Sequence, residues 1–123
     1  MKLKAELDRV FSLYIRQRGA IDGYNLCVTC GKRFLIKELQ CGHYISRGIL
    51  ATRFDEKNCH PQCMRCNVFL KGNYTEYALY LIRQYGVGFL EELDQKKRQS
   101  VKFSQADYKE KIEYYKNKLI NLV

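Results

Sequence analysis

Apolar residues near the start of the chain recur at helical spacing: Leu3, Leu7, Val10 and Tyr14 fall three or four apart. Lys2, Lys4, Arg9, Arg16 and Arg18 occupy much of the remaining surface, so residues 2–18 predict an amphipathic helix that Gly19 and Gly23 bring to an end. A second helical pattern, YTEYALYLIRQY, follows Asn73, which has capping-box spacing to Glu76, and stops at Gly86 and Gly88. A short helix is expected over about 88–98, closing in Lys96-Lys97-Arg98. Ser104 reads as the N-cap of a last helix, with Tyr108, Ile112, Tyr115 and Leu119 on one face. The middle of the chain is different. Leu39 to Ile45 predicts a strand, Ser46-Arg47-Gly48 a turn, and Ala51 to Asp55 a returning strand. Pro61 suits the first position of a helix that would carry Cys63, Cys66 and Asn67. The expected architecture is one α+β domain over 1–123: an N-terminal helical part (1–24), a hairpin-and-helix core (25–72) and C-terminal helices (73–123).

Composition adds a partner class. Hydrophobic residues make up 46% of the 123, with no tryptophan, so ten tyrosines and six phenylalanines must supply the bulk of a core. The tyrosines at 74, 77, 80, 85, 108, 114 and 115 have helical spacing and read chiefly as packing residues, with stacking on bases as the alternative. Lys and Arg outnumber Asp and Glu by 22 to 13, a formal charge of +9, which favours a polyanionic partner and DNA first among them. No stretch approaches the ~20 apolar residues of a membrane span, and the charged start MKLKAELDRVF lacks the apolar centre of a secretory signal. A cytoplasmic protein is expected, where thiols stay reduced and six cysteines read as ligands or buried thiols.

Cys27-Val-Thr-Cys30 and Cys63-Met-Arg-Cys66 are two Cys-x-x-Cys pairs. Each can place two thiolates on a tight turn, and together they complete a tetrahedral S₄ site for structural Zn²⁺. Gly31 after the first pair suits a zinc knuckle. The 32 residues between the pairs exceed the ~15–20 of a zinc ribbon, so something folds inside the clamp. A redox reading would need a βαβ context that this region lacks.

The segment inside the clamp resembles the ββα-metal core of HNH endonucleases, in the version braced by two Cys-x-x-Cys pairs. CVTCGK, CGHYISRG, TRFDEKN, HPQCMRCN and KGNYTEY, taken together, resemble the phage NinG/Rap recombination proteins over roughly residues 10 to 95. The resemblance implies an endonuclease acting on branched DNA (displacement loops and four-way, or Holliday, junctions) in phage recombination, encoded by a phage or prophage and working in a bacterial host. It assigns His43 as the general base, Asn58 as the residue that ties the hairpin loop, and Asn67 as a holder of a catalytic divalent metal, Mg²⁺ or Mn²⁺. The chemistry suits these residues: an imidazole can take a proton from water at neutral pH, and cations must share the phosphate charge. Arg47, Arg53, Arg65 and Lys71 flank the segment and are the expected phosphate contacts.

Many HNH nucleases carry a metal ligand immediately before the base, where this chain has Gly42. His60 is the best substitute beside Asn67, provided that it folds inward. Cys41 and Cys59 read as buried free thiols; the alternative is a second zinc site from Cys41, His43, Cys59 and His60, which would consume the base. Two further readings remain open. One is a non-catalytic zinc module that binds DNA and recruits phage or host recombination proteins. The other is a protein-interaction zinc domain. The C-terminal Tyr/Ile/Leu stripe could also make a homodimer.

Overall fold

The computed structural model describes residues 2–122; residues 1 and 123, the outer bounds of the expected single domain, lie outside the described residues. Helix α1 runs Lys2–Gln17 and buries Leu7, Val10, Phe11, Tyr14 and Ile15, a stripe at 3-1-3-1 spacing. Gly19, at φ +74°, turns the chain out of it. Strands β1 (Tyr24–Leu26) and β2 (Arg33–Leu35) form a small antiparallel hairpin whose tip carries Cys27 and Cys30. Strand β3 (Leu39–His43) pairs antiparallel with β4 (Cys59–Cys63) in a second two-stranded sheet. Between them lies a 15-residue excursion that contains the one-turn helix α2 (Leu50–Arg53). A π-helical turn, Arg65–Phe69, follows β4. Helices α3 (Tyr74–Tyr85), α4 (Phe89–Lys97) and α5 (Gln105–Ile120) complete a mixed α+β domain in which helices flank two small sheets.

Three apolar clusters hold these parts together. The largest joins α1 to α5: Phe11 and Tyr14 meet Tyr115 at ring separations of 5.0 and 5.5 Å, and Cys59 of β4 closes the cluster from below. Each fully buried side chain of this kind contributes about 1.5–3 kcal/mol. A second cluster surrounds the four clamp cysteines with Leu39 and Phe34. The third packs Tyr77, Leu81, Phe89 and Leu93 between α3 and α4. Ser104 caps α5 as expected: its Oγ accepts from the Asp107 amide, and the Asp107 carboxylate accepts from the Ser104 amide.

Three local expectations fail, each for a physical reason. The strand that returns to β3 is Cys59–Cys63, and residues 51–55, expected to be that strand, instead form α2 and its exit. Asn58 donates to the carbonyls of Ile45 and Thr52 and holds this stretch as a closed loop. Pro61 is not the start of a helix. It lies mid-strand opposite Cys41, tolerated because a two-stranded sheet leaves one side of each strand without a ladder partner; its carbonyl accepts from the Val28 amide. Asn73 makes no capping box. It adopts φ +48° and turns its amide toward the Cys66 sulfur at 3.6 Å.

Candidate metal centre and active-site cleft

The two hairpins bring the four clamp cysteines together. Cys27 ends the β1 arm, and the chain reverses at Gly31, whose φ of +75° suits glycine and whose amide donates to the Cys27 carbonyl at 2.8 Å. Cys63 ends β4, and Cys66 lies on the π-helical turn one step later. All four sulfurs lie within 4.8 Å of one another, with Cys30 and Cys63 at 3.9 Å. Zinc–thiolate bonds of about 2.3 Å require about 3.8 Å between sulfurs at the tetrahedral angle, so the donor set fits a metal such as zinc without rearrangement. Burial pushes the Cys27 thiol up, but the Thr29 hydroxyl and the amides of Cys63, Cys30 and Thr29 outweigh it and bring it down to about 6. Burial, with Cys27 beside them, pushes Cys30 and Cys63 the other way. Thiols this close do not all ionise without a cation among them.

Next to this cluster opens a cleft of about 510 Å³ between α1, β3 and the π-helical turn. His43, at the end of β3, and Asn67, on the turn, both line it. The His43 Nε2–H donates to the Arg53 carbonyl at 2.9 Å, which leaves Nδ1 as the lone-pair nitrogen of the ring. Burial holds the His43 pKa below its ordinary value, so the imidazole is neutral at physiological pH. Asn58 is fully buried and ties both ends of the excursion: its Oδ1 accepts from the Ile45 amide at 2.8 Å, and its Nδ2 donates to Ile45 and Thr52. The Asn67 amide donates to Gln40 Oε1 at 2.7 Å, leaving the Asn67 carbonyl oxygen open.

His60 does not join them. Side chains alternate across a strand, and the register pairs His43 with Cys59 but Gly42 with His60, so His60 projects from the opposite face of the sheet. There it is almost wholly buried among Tyr77, Tyr80 and Tyr85. Tyr77 donates its hydroxyl proton to the Gly42 carbonyl at 2.7 Å, so it accepts from His60 Nδ1; Tyr85 then donates to His60 Nε2 at 2.9 Å. Burial, with the Arg18 guanidinium adding to it, brings His60 down to about 3. It is a neutral structural imidazole, and neither a metal ligand beside Asn67 nor a member of a four-residue second zinc site. Of that proposed quartet, only Cys41, His43 and Cys59 converge.

The four expected phosphate contacts also divide. Arg47 is exposed on the cleft rim. Arg53 is buried: its guanidinium makes two hydrogen bonds to the Asp8 carboxylate and a third to the Arg47 carbonyl, so it braces the loop whose carbonyl holds His43. Arg65 is exposed beside the cysteine cluster with Met64 and Lys32, outside the His43 cleft. Lys71 is exposed but does not line the cleft. Lys96, Lys97 and Arg98 pair with Asp55 or Asp94. In return, α1 supplies Asp8, Ser12 and Arg16 to the cleft, a polar stripe at i, i+4, i+8 that the sequence presents only as solvated surface.

The position before His43 has an occupant. A Cβ built on Gly42 would lie 1.9 Å from Gln62 Oε1. Gln62 is fully buried and anchored by hydrogen bonds to Thr29 Oγ1 and the Gly72 carbonyl. Among the described residues, the only carboxylate lining the cleft, Asp8, is committed to Arg53 and Arg47. These donors do not fit a resident Mg²⁺ or Mn²⁺, which needs oxygen ligands beyond one or two amides.

Comparison with known proteins accounts for nearly the whole chain. The family model described as Bacteriophage Lambda NinG protein matches residues 2–123. The chain is 30% identical over 90 residues to the Protein ninG of Salmonella phage P22, covering 72% of this chain and 42% of that protein. Against the Protein ninG of Escherichia phage lambda it is 26% identical over 119 residues, covering 91% of this chain and 56% of that protein. The chain thus spans about half the length of the curated relatives it matches. No solved structure matches it. No described helix is long and apolar enough to cross a membrane. With the family model matched from the first residue of α1 to the last residue of the chain, the protein belongs to the NinG family of bacteriophage proteins.

Proposed function

We propose that this NinG-family chain is a structure-selective DNA endonuclease with an HNH-like ββα core, braced by zinc at Cys27, Cys30, Cys63 and Cys66. The observation that carries the proposal is the His43 environment. A neutral imidazole, its tautomer held by the Arg53 carbonyl, lines a cleft beside Asn67, with Arg16 and Arg47 on the walls. His43 Nδ1 takes the proton of a water that attacks the scissile phosphorus. Arg16 and Arg47 carry part of the charge that grows on the phosphate oxygens. Asn58 and Arg53 act through His43: they hold the loop carbonyl that orients the ring. The preference for branched DNA comes from the family resemblance, and the +9 charge supports DNA as the partner.

The test is cleavage of labelled duplex, displacement-loop and four-way-junction DNA in Mg²⁺, Mn²⁺ or Ni²⁺. Cuts in branched DNA are expected from the wild type and should vanish in His43→Ala, with both proteins holding zinc. A second reading has its own support: Gly42 offers no side chain before His43, and among the described residues the one carboxylate lining the cleft, Asp8, is already paired with Arg53 and Arg47. On that reading the chain is a zinc-containing DNA-binding accessory protein of recombination. It predicts binding that weakens with salt and no cuts in any metal.

A further inference from the structure

Cys41 and Cys59 lie outside the tetrathiolate cluster, and the proposed hydrolysis uses neither thiol. The sheet places them on one face with the candidate base. His43 stands directly across from Cys59, and Cys41 lies two residues back along β3. Ligand atoms of all three lie within 4.8 Å of one another. The Arg53 carbonyl converges on the same point, 2.9 Å from His43 Nε2 and 3.6 Å from the Cys59 sulfur. Cys59 is fully buried, but Cys41 and His43 line the open cleft, so an ion has a path from solvent.

We propose that Cys41, His43 and Cys59 form a second zinc site, weaker than the tetrathiolate centre, whose filling switches the cleft off. Two thiolates and an imidazole suit Zn²⁺ and related borderline-soft ions and do not suit Mg²⁺. Binding releases the two thiol protons to solvent and changes no oxidation state. The fourth position falls to water or to the Arg53 carbonyl. Whichever ring nitrogen of His43 coordinates, the other carries the imidazole proton, so no lone pair remains to accept one from water. The metal binding stands on the ligand geometry alone; the switching rests on the nuclease reading above.

The chain carrying one zinc per molecule is titrated with Co²⁺, with zinc release followed by a chromophoric chelator. A sulfur-to-cobalt charge-transfer band should grow to one added equivalent while the first zinc is retained. The band should be lost in Cys41→Ser and shifted or lost in His43→Ala, each first confirmed as folded by circular dichroism. Cleavage of branched DNA is then compared with and without excess Zn²⁺. Wild type should lose at least ~100-fold in rate, the scale of a general base, and Cys41→Ser no more than a few-fold. No thiolate band in the wild type, or the same band in Cys41→Ser, overturns the site. A band together with undiminished cleavage in excess zinc overturns the switch. Absence of cleavage in every condition would sink the nuclease reading while leaving the cobalt result to decide the metal site.

Discussion

Replacing Gly42 by alanine isolates a packing contact on the sheet face opposite His43. Gly42 has ordinary backbone angles, so the substitution introduces no conformational strain. The cost comes from one neighbour: the new Cβ would sit 1.9, 2.6 and 2.7 Å from Oε1, Cδ and Cγ of Gln62. Gln62 must move. A free glutamine would do so cheaply, but this one is fully buried and donates to Thr29 Oγ1 at 3.1 Å and the Gly72 carbonyl at 2.9 Å. Losing two such bonds costs about 2 kcal/mol, and crowding a packed site adds about 1 kcal/mol or more. Gly42→Ala should therefore destabilise by about 2–4 kcal/mol. Gln62→Ala alone should cost about 2–3 kcal/mol, because it removes the same two bonds and leaves a small void. The double variant should be no less stable than Gln62→Ala, since the added methyl then occupies vacated space. The pairwise coupling would be about 2–4 kcal/mol, measured by urea unfolding at constant zinc with an unchanged m-value. Additive losses, or a Gly42→Ala protein within ~0.5 kcal/mol of wild type, would refute this account of the missing side chain.

Three other measurements probe the rest of the framework. Asn58→Ala deletes three buried hydrogen bonds and should cost about 3 kcal/mol; Asn58→Asp should fare no better, because it turns a carboxylate on the Ile45 and Thr52 carbonyls. Hydrogen exchange across residues 44–58 would show the loop opening. Cys66→Ser, or a strong chelator, should remove the metal and lower Tm by at least ~10 °C, since the second apolar cluster is built on the four ligands. His60 is held at about 3 when folded, against about 6.5 when unfolded, so the unfolded chain takes up a proton that the folded chain refuses. Its contribution is full above about pH 6.5 and falls by about 1.4 kcal/mol per unit as pH drops toward 3. The difference between wild type and His60→Gln, at matched metal, should carry that slope and flatten above pH 6.5.

Much of the helical framework was legible in the sequence, because a helix is written in residues three and four apart. The stripes of α1 and α5 and the Ser104 cap are local patterns, and they sit where the spacing puts them. The clamp was legible too: two Cys-x-x-Cys pairs specify their chemistry whatever folds between them, and the four sulfurs do meet. His43 and Asn67 line one cleft. Pairing across the excursion was not legible. Residues 51–55 read as the returning strand and Pro61 as the start of a helix, because short segments carry too little periodicity to assign either. Asn58 decided it, through hydrogen bonds to residues 6 and 13 positions away. That register then settled matters no local pattern could express. A strand exposes alternate residues on opposite faces, so pairing His60 with Gly42 sent one histidine into a tyrosine cage and left the other on the cleft. It also laid Gln62 over Gly42. Arg53, a surface cation by composition, became an internal brace only because α1 brings Asp8 against it from 45 residues away. The sequence by itself determined which residue types could bind metal and DNA; the tertiary structure decided which of them face one another, because facing depends on register and on contacts between distant segments.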